Sequence, residues 1–174
     1  MNWVQEIAKL IYVKQVLADV DSTKLWPHNL PSVAASADQI DAVEKTLGFS
    51  LDRKYADFLL HADGWCGFYQ TVDLFGTSDL LGSQKMGAAM ELVQAIDDDV
   101  LSAAGVQRGE LQPIAATTVD RDLFVLTLPD SKTPGNVLWF AGELIDKFPD
   151  FEEFFLAMMD YNRAEVARFQ ALKQ

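Results

Sequence analysis

The fold is decided between residues 36 and 75, which read SADQIDAVEKTLGFSLDRKYADFLLHADGWCGFYQTVDLF. Ser36 and Gln39 have the spacing of a capping box, in which each residue satisfies a free backbone N–H at the start of a helix. Gly48 stands where a helix commonly ends in a left-handed conformation. The spacing therefore predicts a helix between these signals, with one buried face formed by Ile40, Val43 and Leu47.

The next helix along the chain is expected to start near Asp52, with Tyr55, Phe58 and Leu59 buried at a spacing of three to four residues. Asp63 and Gly64 provide its stop signal. The composition then changes, because residues 65–75 are rich in aromatic and β-branched side chains. Such a stretch predicts one or two short strands.

The flanking segments supply further helices. Apolar spacing predicts a first helix over residues 2–19, followed by a proline-rich loop at 25–31 that is expected to lie on the core. A helical turn is expected at 77–81, capped by Thr77 or Ser78. Residues 86–104 are predicted to be helical or partly helical, with Met90, Val93 and Ile96 on the inner face.

The second half of the chain contains strands and then a long helix. Strands are predicted at 111–117, 122–128 and 136–141, and the short connections between them favour antiparallel pairing. Asp150 is a suitable cap for a C-terminal helix over about residues 150–172. Helices, a run of strands and a final helix predict an α+β fold with helices packed on an antiparallel or mixed sheet. We expect one domain over residues 1–174, with a helical N-terminal segment at 1–35.

Composition narrows the class of protein. The chain has no apolar run near the roughly 20 residues that span a bilayer, its N-terminus lacks the features of a signal peptide, and Cys66 is its single cysteine. These features predict a soluble cytosolic protein without disulfides. The net charge of −12 repels nucleic-acid phosphates and anionic lipid and attracts a basic partner, although many proteins are acidic for solubility alone.

The sequence contains no recognised catalytic or metal-binding motif. His61 lies five residues before Cys66, a spacing that is more typical of a surface histidine beside a buried thiol than of a catalytic pair. Asp97, Asp98 and Asp99 fail the spacing of a calcium loop, whose twelfth position would be Arg108 instead of glutamate. We therefore predict no enzyme activity, no metal site and no cofactor.

The residues between 36 and 75 also form a pattern of a known kind. The pattern consists of Ile40, Glu44, Leu47, Gly48, Leu51, Tyr55, Phe58, Leu59, Asp63, Gly64, Trp65, Asp73, Leu74 and Phe75. It resembles the SUKH superfamily, known largely for bacterial immunity proteins that neutralise polymorphic toxins. Later segments agree in the same order up to about residue 160, namely Pro113-Ile114-Ala115, the hairpin at 120–122 and the helix start at 151–155.

Two positions depart from the family pattern. The family usually has Leu-Pro where this chain has Leu51-Asp52, and Asn-Gly where it has Asp63-Gly64. Both replacements retain capping chemistry. The resemblance implies a curved central sheet with flanking helices. It also implies stoichiometric binding of a toxin, often a nuclease or a nucleic-acid deaminase, whose active site is blocked.

Six residues are candidates for contact with such a partner. Trp65 and Tyr69, like Trp139, are more typical of a core, although an exposed aromatic residue among them would be a candidate anchor. Each acidic candidate also has a role in capping or turn formation as an alternative. The acidic candidates on adjacent loops are Asp73, Asp79, Asp120 and Asp122.

Two other functions remain open at this level. A general interaction or regulatory scaffold of the same superfamily would bind a protein that is not a toxin. A small enzyme would require a deep pocket with several carboxylates, or His61 next to Cys66.

Overall fold

A computed structural model describes residues 1–172. Within this range the chain forms seven α-helices and six strands. The helices are α1 (Trp3–Val20), α2 (Ala37–Leu47), α3 (Arg53–Leu59), α4 (Thr77–Leu80), α5 (Gln84–Ala95), α6 (Asp98–Ala104) and α7 (Phe151–Ala171). The strands are β1 (Trp65–Tyr69), β2 (Val72–Leu74), β3 (Leu111–Ala116), β4 (Leu123–Thr127), β5 (Val137–Phe140) and β6 (Leu144–Phe148).

The strands form one open sheet in chain order, β1-β2-β3-β4-β5-β6, and every neighbouring pair is antiparallel. This confirms the predicted α+β class and selects the antiparallel alternative. Because strand direction alternates, the turns at 70–71, 117–122 and 141–143 lie at the same end of the sheet. We call this end the hairpin end.

Helices cover both faces of the sheet. Phe124 in β4 packs against Phe154 of α7 with ring centroids 5.3 Å apart. The preceding residue, Leu123, points to the opposite face, where it lines a pocket together with Leu92 of α5 and Ile96. The strands at the centre of the sheet are consequently buried on both sides.

The N-terminal helix is part of the core. Trp3 is buried and makes edge-on contacts with Phe58 of α3 at 5.3 Å and with Phe155 of α7 at 5.2 Å. Burial of large aromatic rings is worth several kcal/mol in such a cluster. Helix α1 thus joins α3 and α7 into one layer on the sheet.

Most of the predicted helix signals are confirmed. Ser36 and Gln39 form the capping box of α2, and Gly48 ends this helix with a φ of 78°. Asp52 accepts the backbone N–H groups of Lys54 and Tyr55 at the start of α3. Asp150 caps α7 through the N–H of Glu153, likewise as expected.

Two predictions about helix ends are wrong. Helix α3 ends at Leu59, and Gly64 adopts its φ of 87° in a later turn. Neither Thr77 nor Ser78 caps α4. Gly76 occupies the cap position, and the Asp63 carboxylate accepts both the N–H and the hydroxyl of Thr77.

The region 86–104 is two helices, because the backbone is extended at Ile96 and Asp97. Met90 does not lie on the inner face and is 41% exposed. The buried residues of α5 are Met86, Ala89 and Val93.

Strand β6 was not predicted. It is a five-residue edge strand in which exposed and half-buried residues alternate up to the buried Phe148. Asp146 and Lys147 weaken its apolar signal, as is common for edge strands.

Candidate protein-binding surface

Trp65 lies at the start of β1 and is only 1% exposed. Its indole N–H donates to the carbonyl oxygen of Asn29 at 2.8 Å. Asn29 belongs to the segment 21–35 between α1 and α2, which we call the strap. The strap also donates from the N–H of Ser32 to the carbonyl of Gly64 at 3.0 Å. The predicted ordered loop is confirmed, and Trp65 is a core residue that anchors it.

Asp73 supports an irregularity in β1. Gly67 forms a bulge with a φ of 64°, where a side chain would collide with Pro27 of the strap. The N–H of Gly67 donates to Asp73 Oδ1 at 2.7 Å, and Lys85 Nζ pairs with Asp73 Oδ2 at 2.6 Å. Although burial opposes it, these partners lower the pKa of Asp73.

Asp79 has a similar structural use. Its carboxylate accepts the N–H of Gly76 at 3.2 Å and so closes the first turn of α4. Asp79 and Trp65 lie away from the hairpin end, whereas Asp73 lies in β2 opposite Ala116, with its carboxylate already bound to Gly67 and Lys85. The fold itself therefore accounts for these three candidates.

Tyr69 belongs to an aromatic cluster at the hairpin end. Its ring centroid lies 5.9 Å from that of Trp139 in β5 and 5.9 Å from that of Tyr161 in α7. The rings of Trp139 and Tyr161 are 5.3 Å apart and meet edge-on. Tyr69 and Trp139 are buried, which confirms the expectation that both are core residues. The cluster fixes β1, β5 and α7 relative to one another.

Carboxylates surround this cluster. Asp122 accepts the indole N–H of Trp139 at 2.7 Å, and Asp146 accepts the hydroxyl of Tyr161 at 3.3 Å. Burial, followed by the negative charges of Glu165 and Asp122, raises the pKa of Tyr69 to about 12. Burial and the nearby Asp120 likewise raise the pKa of Asp122, against the opposing hydrogen bond from Trp139.

These groups define a surface, the acidic hairpin surface, which consists of Asp120, Asp122, Glu143, Asp146 and Glu165. Glu165 accepts a hydrogen bond from Gln70 at 3.0 Å, which places it at the tip of the β1–β2 hairpin. Within residues 1–172, Glu165 is the one member with an ion pair, to Arg168 at 2.6 Å. The exposed Arg121 and Arg168 also lie at this surface, so that its five carboxylates outnumber the two guanidinium groups.

The structure thus brings together three of the six predicted residues, Tyr69, Asp120 and Asp122. Sequence reasoning missed Glu143 and Asp146 because β6 was not recognised. It missed Tyr161 and Glu165 because α7 was assessed for its buried stripe alone. Because α7 follows β6, it runs back along the sheet to the hairpin end. This topology could have indicated that Tyr161 and Glu165 lie there.

The geometry of the two possible catalytic residues is unfavourable for a pair. His61 is exposed, and its Nδ1 lies 2.8 Å from the carbonyl oxygen of Asp57. The expectation of a buried thiol is wrong, because Cys66 is exposed. Partial burial of the thiol and the neighbouring Asp73 nevertheless raise the pKa of Cys66, which disfavours the reactive thiolate. Each side chain is therefore engaged with other groups.

Carboxylates do not gather in the apolar pocket at the opposite end of the sheet. This pocket has a volume of about 220 Å³, and its single acidic lining residue, Asp52, caps α3. Among residues 1–172, no group of three or more His, Cys, Asp or Glu side chains is arranged to hold a metal ion. Of the aspartates at 97–99, Asp98 pairs with Arg108 at 2.6 Å.

Comparison with protein families gives one match. The model of the SMI1/KNR4 family (SUKH-1) matches residues 34–157, which run from the cap of α2 into α7. The chain belongs to this family. The SUKH-1 family includes immunity proteins against polymorphic toxins. No curated protein matches the chain closely enough to count as a relative.

The residues that match the family model contain the whole sheet and four of the five members of the acidic hairpin surface; Glu165, in the later part of α7, lies outside them. Helix α1 lies before them, although Trp3 packs in the same core. None of the helices within residues 1–172 is both long and apolar enough to cross a membrane.

Proposed function

We propose that this SUKH-1 protein is a bacterial immunity protein that binds a basic toxin domain and blocks its active site. The acidic hairpin surface is the observation that carries the proposal. It gathers five carboxylates from two hairpins and α7 at one end of a sheet, in a chain of net charge −12. Family membership supports a toxin as the partner, and the negative net charge supports a basic one.

A toxin that acts on nucleic acid needs a basic surface to hold phosphates. The same basic surface would be attracted to clustered carboxylates, which can raise association rates by orders of magnitude at low salt. An immunity protein in the same cell as its toxin gains from fast capture. Electrostatic steering by the acidic hairpin surface would provide it.

The aromatic cluster prepares the surface for binding. Asp122 and Asp146 are held by hydrogen bonds from Trp139 and Tyr161, so their positions do not have to be ordered upon association. Pre-organisation of this kind reduces the entropic cost of forming an interface. The exposed Val119 at a hairpin tip adds an apolar contact beside the charges.

The test uses the product of the neighbouring open reading frame as the candidate toxin. Purified toxin domain and this chain are mixed at low salt, and the association rate is measured by stopped flow. In the double variant Asp120→Lys/Glu143→Lys we expect the rate to fall by about tenfold or more. The difference should shrink as the ionic strength rises.

A matched control is available on α2. Asp38→Lys/Asp41→Lys makes the same change in net charge at two exposed positions outside the acidic hairpin surface. This control should lose much less of the association rate. An equal loss in both variants would locate the interface elsewhere. Absence of binding and of protection in co-expression would contradict the immunity role and favour a scaffold.

A further inference from the structure

Lys14 is a charged residue that the binding surface does not use. It lies on α1 with only 4% of its surface exposed, and its ammonium donates to the carbonyl oxygen of Gly67. Within residues 1–172, no carboxylate lies within ion-pair distance of Lys14. An ammonium has three protons to donate, and burial without acceptors is costly. The contacts to described residues therefore leave two protons of Lys14 without an acceptor.

A pocket of about 170 Å³ adjoins this lysine, between α1 and the strap. Gln15 and Asn29 line it together with the apolar Ile11 and Leu30, and the amide of Gln15 donates to Asp19 Oδ1 at 3.1 Å. The pocket combines one buried cation with amide-bearing and apolar lining residues. It therefore has the chemistry of a site for a small amphipathic anion.

We propose that this pocket binds a short monocarboxylate, whose carboxylate accepts hydrogen bonds from Lys14 and whose alkyl chain lies against Ile11 and Leu30. One ammonium matches one negative charge. Asp21 lies behind His28, which also lines the pocket, and the two side chains are 3.1 Å apart. With this carboxylate close by and a net charge of −12, a phosphate dianion is disfavoured.

The pH dependence of carboxylate binding follows from the ionisation of Lys14. Burial lowers the pKa of Lys14 to about 8, against the opposing effect of Cys66 on β1. The other titratable groups near the pocket are Asp19 on α1, which accepts from Gln15, and Asp21 and His28 of the strap. A carboxylate binds the ammonium form, so its affinity should be lost as the pH rises above about 8. Bound ligand should in turn raise the pKa of Lys14.

The experiment is a titration of the full chain with sodium propionate, followed by amide NMR shifts at constant ionic strength with chloride. We expect saturable shifts that are confined to residues 11–18 and 28–30, together with a higher pKa of Lys14. Lys14→Met should weaken binding by about tenfold or more, since it removes a charge-assisted hydrogen bond. Lys9→Met is the matched control, because Lys9 is an exposed lysine of the same helix, and it should leave binding unchanged.

A second variant keeps the test independent of the stability of Lys14→Met. Ala18 lines the pocket, so Ala18→Leu reduces its volume and retains the ammonium. We expect this variant to lose propionate binding while its remaining amide shifts stay native. Unsaturable or dispersed shifts, equal binding by Lys14→Met, or tighter binding of phosphate than of propionate would each overturn the proposal.

Discussion

The Asp73 carboxylate accepts the backbone N–H of Gly67 at 2.7 Å, across the bulge in β1. The carbonyl of the same glycine accepts from Lys14, so both backbone groups of the bulge have charged side-chain partners. Charge-assisted bonds of this kind are stronger than neutral ones. The bulge is therefore a supported feature of the edge strand, and Asp73 is explained by the fold.

Replacement of Asp73 tests this role. Asp73→Asn keeps an acceptor for Gly67 but removes the ion pair with Lys85, which is partly exposed, so we expect a loss of about 1 kcal/mol at pH 7. Because the folded pKa of Asp73 is lowered, its stabilising effect is present above the unfolded pKa of about 3.9 and is lost as the pH falls through the folded value.

Urea unfolding at pH 7 and at pH 3 measures both effects. The difference between wild type and Asp73→Asn should shrink at the lower pH. Asp41→Asn, at an exposed position of α2 beyond its first turn, should change the free energy of unfolding little at either pH. A difference that is the same at both pH values would contradict the ion-pair explanation.

Gly76 lies in close contact with the backbone of Asp63. A Cβ at this position would collide with the carbonyl oxygen of Asp63, in the turn that precedes β1. Since the obstacle is backbone, we expect Gly76→Ala to destabilise the fold by about 2 kcal/mol or more. Gly87→Ala is the control, because Gly87 lies in α5 with open space around it and should gain up to about 1 kcal/mol. Equal effects in thermal unfolding would refute the steric explanation.

Local signals predicted the helices well, because caps and apolar spacing act over a few residues. Ser36, Gln39 and Gly48 specify α2 without help from the rest of the chain. The start of α4 was different, because the N–H and hydroxyl of Thr77 donate to the carboxylate of Asp63, fourteen residues earlier. A partner supplied by tertiary structure leaves no local trace, and this is why α4 was assigned the wrong cap.

Trp65 is expected to hold the strap on β1. Trp65→Phe removes the hydrogen bond to Asn29 and part of the buried ring, so we expect faster hydrogen exchange in residues 26–33 and a loss of about 1–2 kcal/mol. Trp26→Phe is a suitable control, because the indole N–H of Trp26 has no hydrogen-bond partner among residues 1–172. A similar increase in strap exchange for both variants would show that ring volume, not the hydrogen bond, holds this segment.

The candidate surface was only partly predictable for a related reason. Asp120 and Asp122 stand out in the sequence because they flank a turn. Glu165 lies 43 residues after Asp122 and joins them only because α7 returns along the sheet. Charge clusters of this kind depend on topology, whereas the total charge of −12 is already evident from composition.

Asp120 and Asp122 should be electrostatically coupled. Burial and the charge of Asp120 both raise the pKa of Asp122, and Asp120→Asn removes the second effect. We expect the pKa of Asp122 to fall in this variant, as measured by carboxyl carbon NMR titration. A carboxyl with a raised folded pKa contributes stability below its unfolded pKa and loses it as the pH rises through the folded value. Asp120→Asn should therefore stabilise the protein at pH 7 by a few tenths of a kcal/mol.

High salt should also lower the pKa of Asp122 in the wild-type protein, because screening weakens the repulsion between the carboxylates of Asp120 and Asp122. Asp130→Asn removes an exposed charge from the loop at the opposite end of the sheet and should leave the pKa of Asp122 unchanged. If Asp120→Asn also left it unchanged, burial alone would account for the raised pKa. The two carboxylates would then act independently in attracting a basic partner.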